Sequence, residues 1–292
     1  MIIYNPKDWL TFIFKLHKSD TFRTLSPMLV VISVYSGIVA FLEIEYWQLS
    51  DSSHVKNIPI MHTMLGFAIS MLLVFRTNTA YDRWWEGRKF WGSLVNNSRN
   101  LAMKISTFVK AEDSDAHKFF RVLIPAYALA LHHHLRKSGF DKEHFEKLEY
   151  LKDIDFDKHV PNQIAKKMYE KTAQFYKQKI ISGEELIFLN TELQSFTDIC
   201  GACERIKNTP IPYSYSAFIK KFIFIYIMTL PFGYVFQLGY YVIPVVAFVF
   251  YVLASLEIIA EEIEDPFGED ENDVPTDALS ANIKKSIEEI IQ

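Results

Sequence analysis

Cysteine is almost missing from this 292-residue chain, and glycine is scarce. The two cysteines, Cys200 and Cys203, exclude a disulfide scaffold and permit a reducing compartment. Ten glycines and no period-two alternation leave little room for β-sheet. Neither charge dominates: 31 Lys+Arg face 35 Asp+Glu, a net charge of −4, which excludes a basic nucleic-acid binder. There is no Ser-His-Asp order, no nucleotide-binding glycine loop and no H-E-x-x-H. Residues 1–24 lack the compact apolar core and small-residue cleavage site of a secretory signal. Within them Trp9, Phe12, Ile13 and Leu16 form a helical stripe suited to a membrane surface or to docking on the protein.

What is plentiful is apolar. Half the residues are hydrophobic and 15% aromatic, yet 23% are charged and mean hydropathy is +0.05. These values fit together only if charges are segregated from apolar runs. From Phe222 to Leu256 there is no charge at all. One helix of that length would be about 52 Å long, against a hydrocarbon core of about 30 Å. Two passes therefore fit, with a turn near Gln237, Gly239 and Tyr240–Tyr241. Pro231 and Pro244 are kinks that a membrane bundle tolerates. Ile58–Phe75 and Met28–Leu42 are the other candidate spans, the latter with Glu43 and Glu45 near its end.

The segments then divide into an amphipathic 1–24, spans one and two in 25–75, a cytoplasmic helical region 76–219, spans three and four in 220–257, and an acidic 258–292. Lys and Arg set the orientation. They crowd the N-terminal segment (Lys7, Lys15, Lys18, Arg23) and follow the second run (Arg76, Arg83, Arg88, Lys89, Arg99). Lys56 alone sits between runs one and two. The positive-inside rule puts both termini in the cytoplasm. Residues 76–219 read as long amphipathic helices near 87–110, 115–138, 161–181 and 184–207, with 140–160 as a connector. In the last helix Leu186, Leu189, Leu193, Phe196, Cys200, Cys203 and Ile206 make one apolar face.

Each group with chemical potential has a plain counterpart. Cys200-Gly-Ala-Cys203 has redox spacing, but inside an amphipathic helix it reads as core packing. His132-His133-His134 point about 100° apart on a helix and do not converge on one ion. His62 faces a pore or holds a local partner at a helix end. Nine carboxylates from Glu257 to Asp273 include Glu269, Asp270 and Asp273, oxygen ligands of the hard-cation type in a spacing that is not an EF-hand. Their plain reading is a solvated loop or partners for Arg76, Arg83 and Arg88.

Three motifs carry a resemblance. Leu65-Gly66-Phe67 leads into Phe75-Arg76-Thr77-Asn78-Thr79-Ala80-Tyr81-Asp82-Arg83-Trp84-Trp85-Glu86-Gly87-Arg88. Cys203-Glu204-Arg205-Ile206 precedes Thr209-Pro210-Ile211-Pro212-Tyr213. Glu264-Asp265-Pro266-Phe267-Gly268 opens the run to Asp273. Their order relative to the spans resembles the bestrophin family in its shorter bacterial form, over about residues 5 to 285. The resemblance implies an all-α, four-span ion channel of the bacterial inner membrane, a homopentameric funnel with one axial pore for small monovalent ions and no enzymatic activity. It implies a hydrophobic neck at Phe67, Met71 and Phe75, where bacterial relatives carry aliphatic residues at the first two positions. It places a cytosolic aperture at Glu185, or at Leu186 if the register slips by one. Animal members are anion channels gated by calcium through the acidic segment. Bacterial members are cation-permeable and lack that calcium site. Asn272 interrupts the acidic run here.

For charge selection, a ring of Glu184 and Glu185 carboxylates interacts by about 1–4 kcal/mol per unit charge, against ~1 kcal/mol for aromatic ring edges. Cation permeability is the resulting expectation. The other classes open to the sequence are a membrane enzyme using His62 with Glu43 or Glu45, and a structural membrane protein whose cytosolic helices recruit a partner.

Overall fold

The computed structural model describes residues 21–48, 57–110, 113–136, 139 and 142–291. The stripe of Trp9, Phe12, Ile13 and Leu16, and Lys56, lie outside them. Among the described residues there is no strand.

Helix α1, Thr21–Phe41, passes into a π-helical turn, Leu42–Tyr46. Helix α2, Ile58–Phe108, is 51 residues long and opens on a proline in its first turn. Pro is tolerated there because the first amides of a helix have no partner anyway. No proline follows inside α2, so the helix runs straight through the change from apolar to charged sequence at Phe75–Arg76. The boundary expected between residues 75 and 76 is thus a change of surroundings along one rod.

Helix α3, Ser114–Leu135, is capped by the Asp113 carboxylate accepting the Ala116 N–H. After the short α4, Lys142–Glu146, come turns and then α5, Val160–Lys177. Helix α6, Gly183–Asn208, starts in a reciprocal box of Ser182 and Glu185. Helices α7, Tyr213–Leu238, and α8, Val242–Glu264, are joined by a 3-10 turn at Gly239–Tyr241. Gly239 adopts φ 54°, a conformation that favours glycine. The pair folds back as a hairpin, since Lys220 early in α7 reaches Glu261 late in α8 at 2.8 Å. Helix α9, Thr276–Ile290, closes the described chain.

Two cores result, and α2 belongs to both. Ile69 and Leu73 pack with Leu25, Ile32, Ile223, Val246 and Leu253 of α1, α7 and α8. Further along, Trp91, Leu94, Leu101 and Ile105 pack with α3, α5, α6 and α9 through Phe120, Tyr127, Phe175, Phe196 and Ile283. The apolar face expected on α6 is buried from Leu189 to Ile206, with Leu186 packed at its edge. Three helical stretches, Thr21–Tyr46, Ile58–Phe108 and Tyr213–Glu264, are long and apolar enough to cross a membrane. The third contains the hairpin.

Candidate functional site

The three sequence motifs meet where α2 leaves the first core. Arg76, fully buried, sets its guanidinium 2.6 Å from Glu264 Oε2 and 3.6 Å from Glu257 Oε2. Two turns on, Arg83 donates to the carbonyls of Glu264, Ile206 and Thr209. Glu264 Oε1 in turn accepts the Ile211 N–H at 2.6 Å. One carboxylate therefore bonds α2 and the Thr209–Pro212 turn at once. Phe267, buried, packs its ring tip on Gly87, where a Cβ would come within 2.9 Å of Cζ. Trp84 Nε1 donates to the Asn272 carbonyl at 2.9 Å. The carboxylate partners expected for Arg76 are Glu257 and Glu264, whereas Arg83 bonds three backbone carbonyls instead of a carboxylate.

The expected neck residues lie on one side of α2, away from both cores. Phe67 is 72%, Met71 42% and Phe75 56% exposed in the single chain. Ile60 and Met64 extend the same outward stripe. Spacing of three and four along a helix puts all five on a common face.

At the start of α6 the expected aperture residues have different surroundings. Glu185 is engaged locally: its carboxylate accepts the Ser182 N–H at 2.7 Å, and its own N–H donates to Ser182 Oγ. Glu184 is exposed, and Leu186 leans on the second core. One turn further, Ile187 and Phe188 are 70% and 57% exposed, apolar side chains that sequence reasoning passed over. Their signal was faint, because they fall just off the apolar face of α6.

In the acidic segment Glu269 and Asp270 are exposed, while Asp273 is buried. Asp273 Oδ2 accepts the Asp270 N–H at 2.7 Å, and Oδ1 has no hydrogen-bond partner among the described residues. Burial, with the Asp270 and Asp265 charges adding, pushes the Asp273 carboxyl up to about 7. Asp273 Oδ1 is one oxygen free to meet a hard cation, but among the described residues the carboxylates of Glu269, Asp270 and Asp273 do not converge as a ligand group.

His62 is buried and both ring nitrogens are used. Nδ1 meets the Ile58 carbonyl at 3.1 Å and Nε2 the Thr229 hydroxyl at 3.0 Å. The local-partner reading holds. Both cysteines are buried thiols of the α6 face. Of the three consecutive histidines, His132 turns to Thr276 Oγ1 at 2.7 Å and His134 to Glu204 Oε1 at 2.6 Å, so they diverge. What the sequence did not reveal is that His159 reaches the same Glu204 oxygen at 2.7 Å.

The chain matches the family model of the bacterial/fungal bestrophin protein over residues 1–289. It is 38% identical over 245 residues to a voltage-dependent anion channel-forming protein of Nostoc, covering 80% of each chain. A protein of the same description from Synechocystis is 32% identical over 296 residues, covering 99% of this chain and 93% of that one. A crystal structure of a bacterial bestrophin homologue from Klebsiella pneumoniae superposes with a TM-score of 0.82 at 27% identity, over 90% of this chain and 97% of that one. This chain belongs to the bestrophin family, in its bacterial and fungal branch.

Proposed function

We propose that this protein is a homopentameric ion channel of the inner membrane, with four passes per chain, both termini cytoplasmic, and a pore lined by α2. The observation that carries the reading is the outward stripe of α2. A helix embedded in two cores leaves Phe67, Met71 and Phe75 uncovered at membrane depth. In a fivefold ring each becomes a belt of apolar side chains, which closes a pore to ions by dewetting. The segment divisions at residues 24, 75, 219 and 257 are proposed on the same basis.

The relatives described as anion channel-forming shift the proposed selectivity from cations to anions. The Glu185 carboxylate is held in its helix cap beside Ser182 and keeps its charge there. Glu184, with Leu186 or its exposed neighbours, forms the proposed aperture. Calcium, if the acidic segment takes it, meets the unpartnered Asp273 Oδ1 first, with Asp270 and Glu269 moving in to complete its shell. His62, the base of the enzyme reading, is bonded to the Ile58 carbonyl of its own helix and to the Thr229 hydroxyl.

The experiment is reversal potential in a chloride gradient across liposomes holding the purified protein. Anion permeation predicts a reversal near the chloride equilibrium value, with an unchanged Glu184→Gln variant. A cation-side reversal that Glu184→Gln abolishes restores the exit-ring reading. No flux at all discards the channel.

A further inference from the structure

The junction of α3, α5 and α6 holds a group of ligands that the channel reading does not use. His134 stands in the last turn of α3, His159 caps α5, and Glu204 lies on α6. Nε2 of His134 is 2.6 Å and Nε2 of His159 2.7 Å from the same Glu204 oxygen. One potential ligand atom from each residue lies within 4.8 Å of the other two. The two imidazole rings are 4.3 Å apart between centroids. All three side chains are about 30% exposed, close enough to solvent for an ion to enter and sheltered enough to be held.

We propose that His134, His159 and Glu204 form a binding site for zinc or a similar borderline divalent transition metal, with water completing a four-coordinate shell. Two neutral imidazoles and one carboxylate are the donor set of an open zinc site. Around zinc, ligand atoms at about 2.0–2.2 Å stand roughly 3.3 Å apart. The two Nε2–Oε1 distances are shorter than that, because a shared proton now holds each pair. Entry of the metal needs only a spreading of about 0.6 Å on each side.

Cys200, one turn before Glu204, brings its Sγ to 4.0 Å from His159 Nε2, at the border of the site.

One interaction opposes the metal. His159 Nδ1 accepts the Asn162 N–H as the cap of α5, which fixes the ring proton on Nε2. Metal binding at Nε2 moves that proton to Nδ1 and gives up the cap. Loss of such a cap lowers affinity about fivefold to tenfold, a small part of what three zinc ligands supply. The site is independent of ion conduction, since it is read by metal binding alone.

The test is calorimetric titration of Zn²⁺ into the tag-free full-length protein in detergent at pH 7.5. His159→Asn and Glu204→Gln are compared with the parent. Asn keeps a side-chain acceptor for the α5 cap, and Gln keeps an oxygen for His134, so both variants are designed to fold. The expected result is one zinc per chain, with affinity reduced at least tenfold in each variant and weakened at pH 5.5 as imidazolium forms. Zinc should also raise the melting temperature of the parent by several degrees and of neither variant. No saturable binding by the parent overturns the site. So does binding of equal strength in both variants, because the zinc is then held elsewhere, as on the acidic segment.

Discussion

Single residues hold the junction together by having no room to spare. At Gly87 an added methyl meets the Phe267 ring at 2.9 and 3.1 Å and Pro266 at 3.3 Å. Overpacking of this kind costs about 1–3 kcal/mol, while glycine-to-alanine in a helix gains at most about 1 kcal/mol. Gly87→Ala should therefore lower the melting temperature, whereas Gly201→Ala, with nothing near its Cβ, should raise it. A Gly87→Ala protein as stable as the parent would mean that Phe267 moves aside freely. At Asp273 the effect is electrostatic. Its folded pKa, about 7 against 3.8 ordinarily, means the folded chain binds the proton more tightly than the unfolded chain. Its contribution is intact below about pH 4 and is lost as pH rises to 7, by on the order of 2–4 kcal/mol. Asp273→Asn should thus melt higher than the parent at pH 8 in chelator, and no higher at pH 4. Added calcium should raise the parent's melting temperature at pH 8 and leave the variant's unchanged. A parent indifferent to calcium removes the calcium reading.

At the scale of elements, α2 decides most. Its 51 residues run from the first core to the second without a proline break. Any tilt of one half is therefore carried to the other, and the Arg76–Glu264 and Arg83 bonds couple it to α8 and to the turn before α7. On its outward face, Phe67, Met71 and Phe75 all replaced by alanine should raise single-channel conductance several-fold, because a wider and wetter constriction lowers the dewetting barrier. The protein must keep its assembly for the measurement to count. Conductance unchanged in an intact assembly would assign the stripe to lipid or to a neighbouring chain. The amphipathic period made α6 legible as a helix over 184–207, and it runs Gly183–Asn208. It did not make legible what Glu185 does, because a helix cap depends on where the chain enters the helix and not on the apolar period.

For the whole molecule, the expected outcome is a ring. One chain has a core between α1, α2, α7 and α8 filled by Ile69, Leu73, Ile223 and Val246, so it encloses no passage of its own. Apolar faces of α1, α2 and α8 remain outside, with Val31, Phe67 and Phe248 more than half exposed. Only repetition around an axis turns such a face into a lumen. Native mass measurement in detergent should give five copies. A monomer that still conducts ions would discard the ring and the neck with it.

Segregated charge and uninterrupted apolar runs suffice to read apolar helices long enough to cross a membrane, and a helical region between them, from the sequence alone. Those properties are local, and helix period and span length act over tens of consecutive residues. The motifs around Arg76, Glu204 and Pro266 were likewise enough to point to the family. Tertiary structure alone decided which distant side chains meet. Arg76 finds Glu264 across 188 positions, and His159 joins His134 at Glu204. Such meetings depend on how helices cross, and crossing is set by packing of whole faces, which the order of residues along any one helix does not encode.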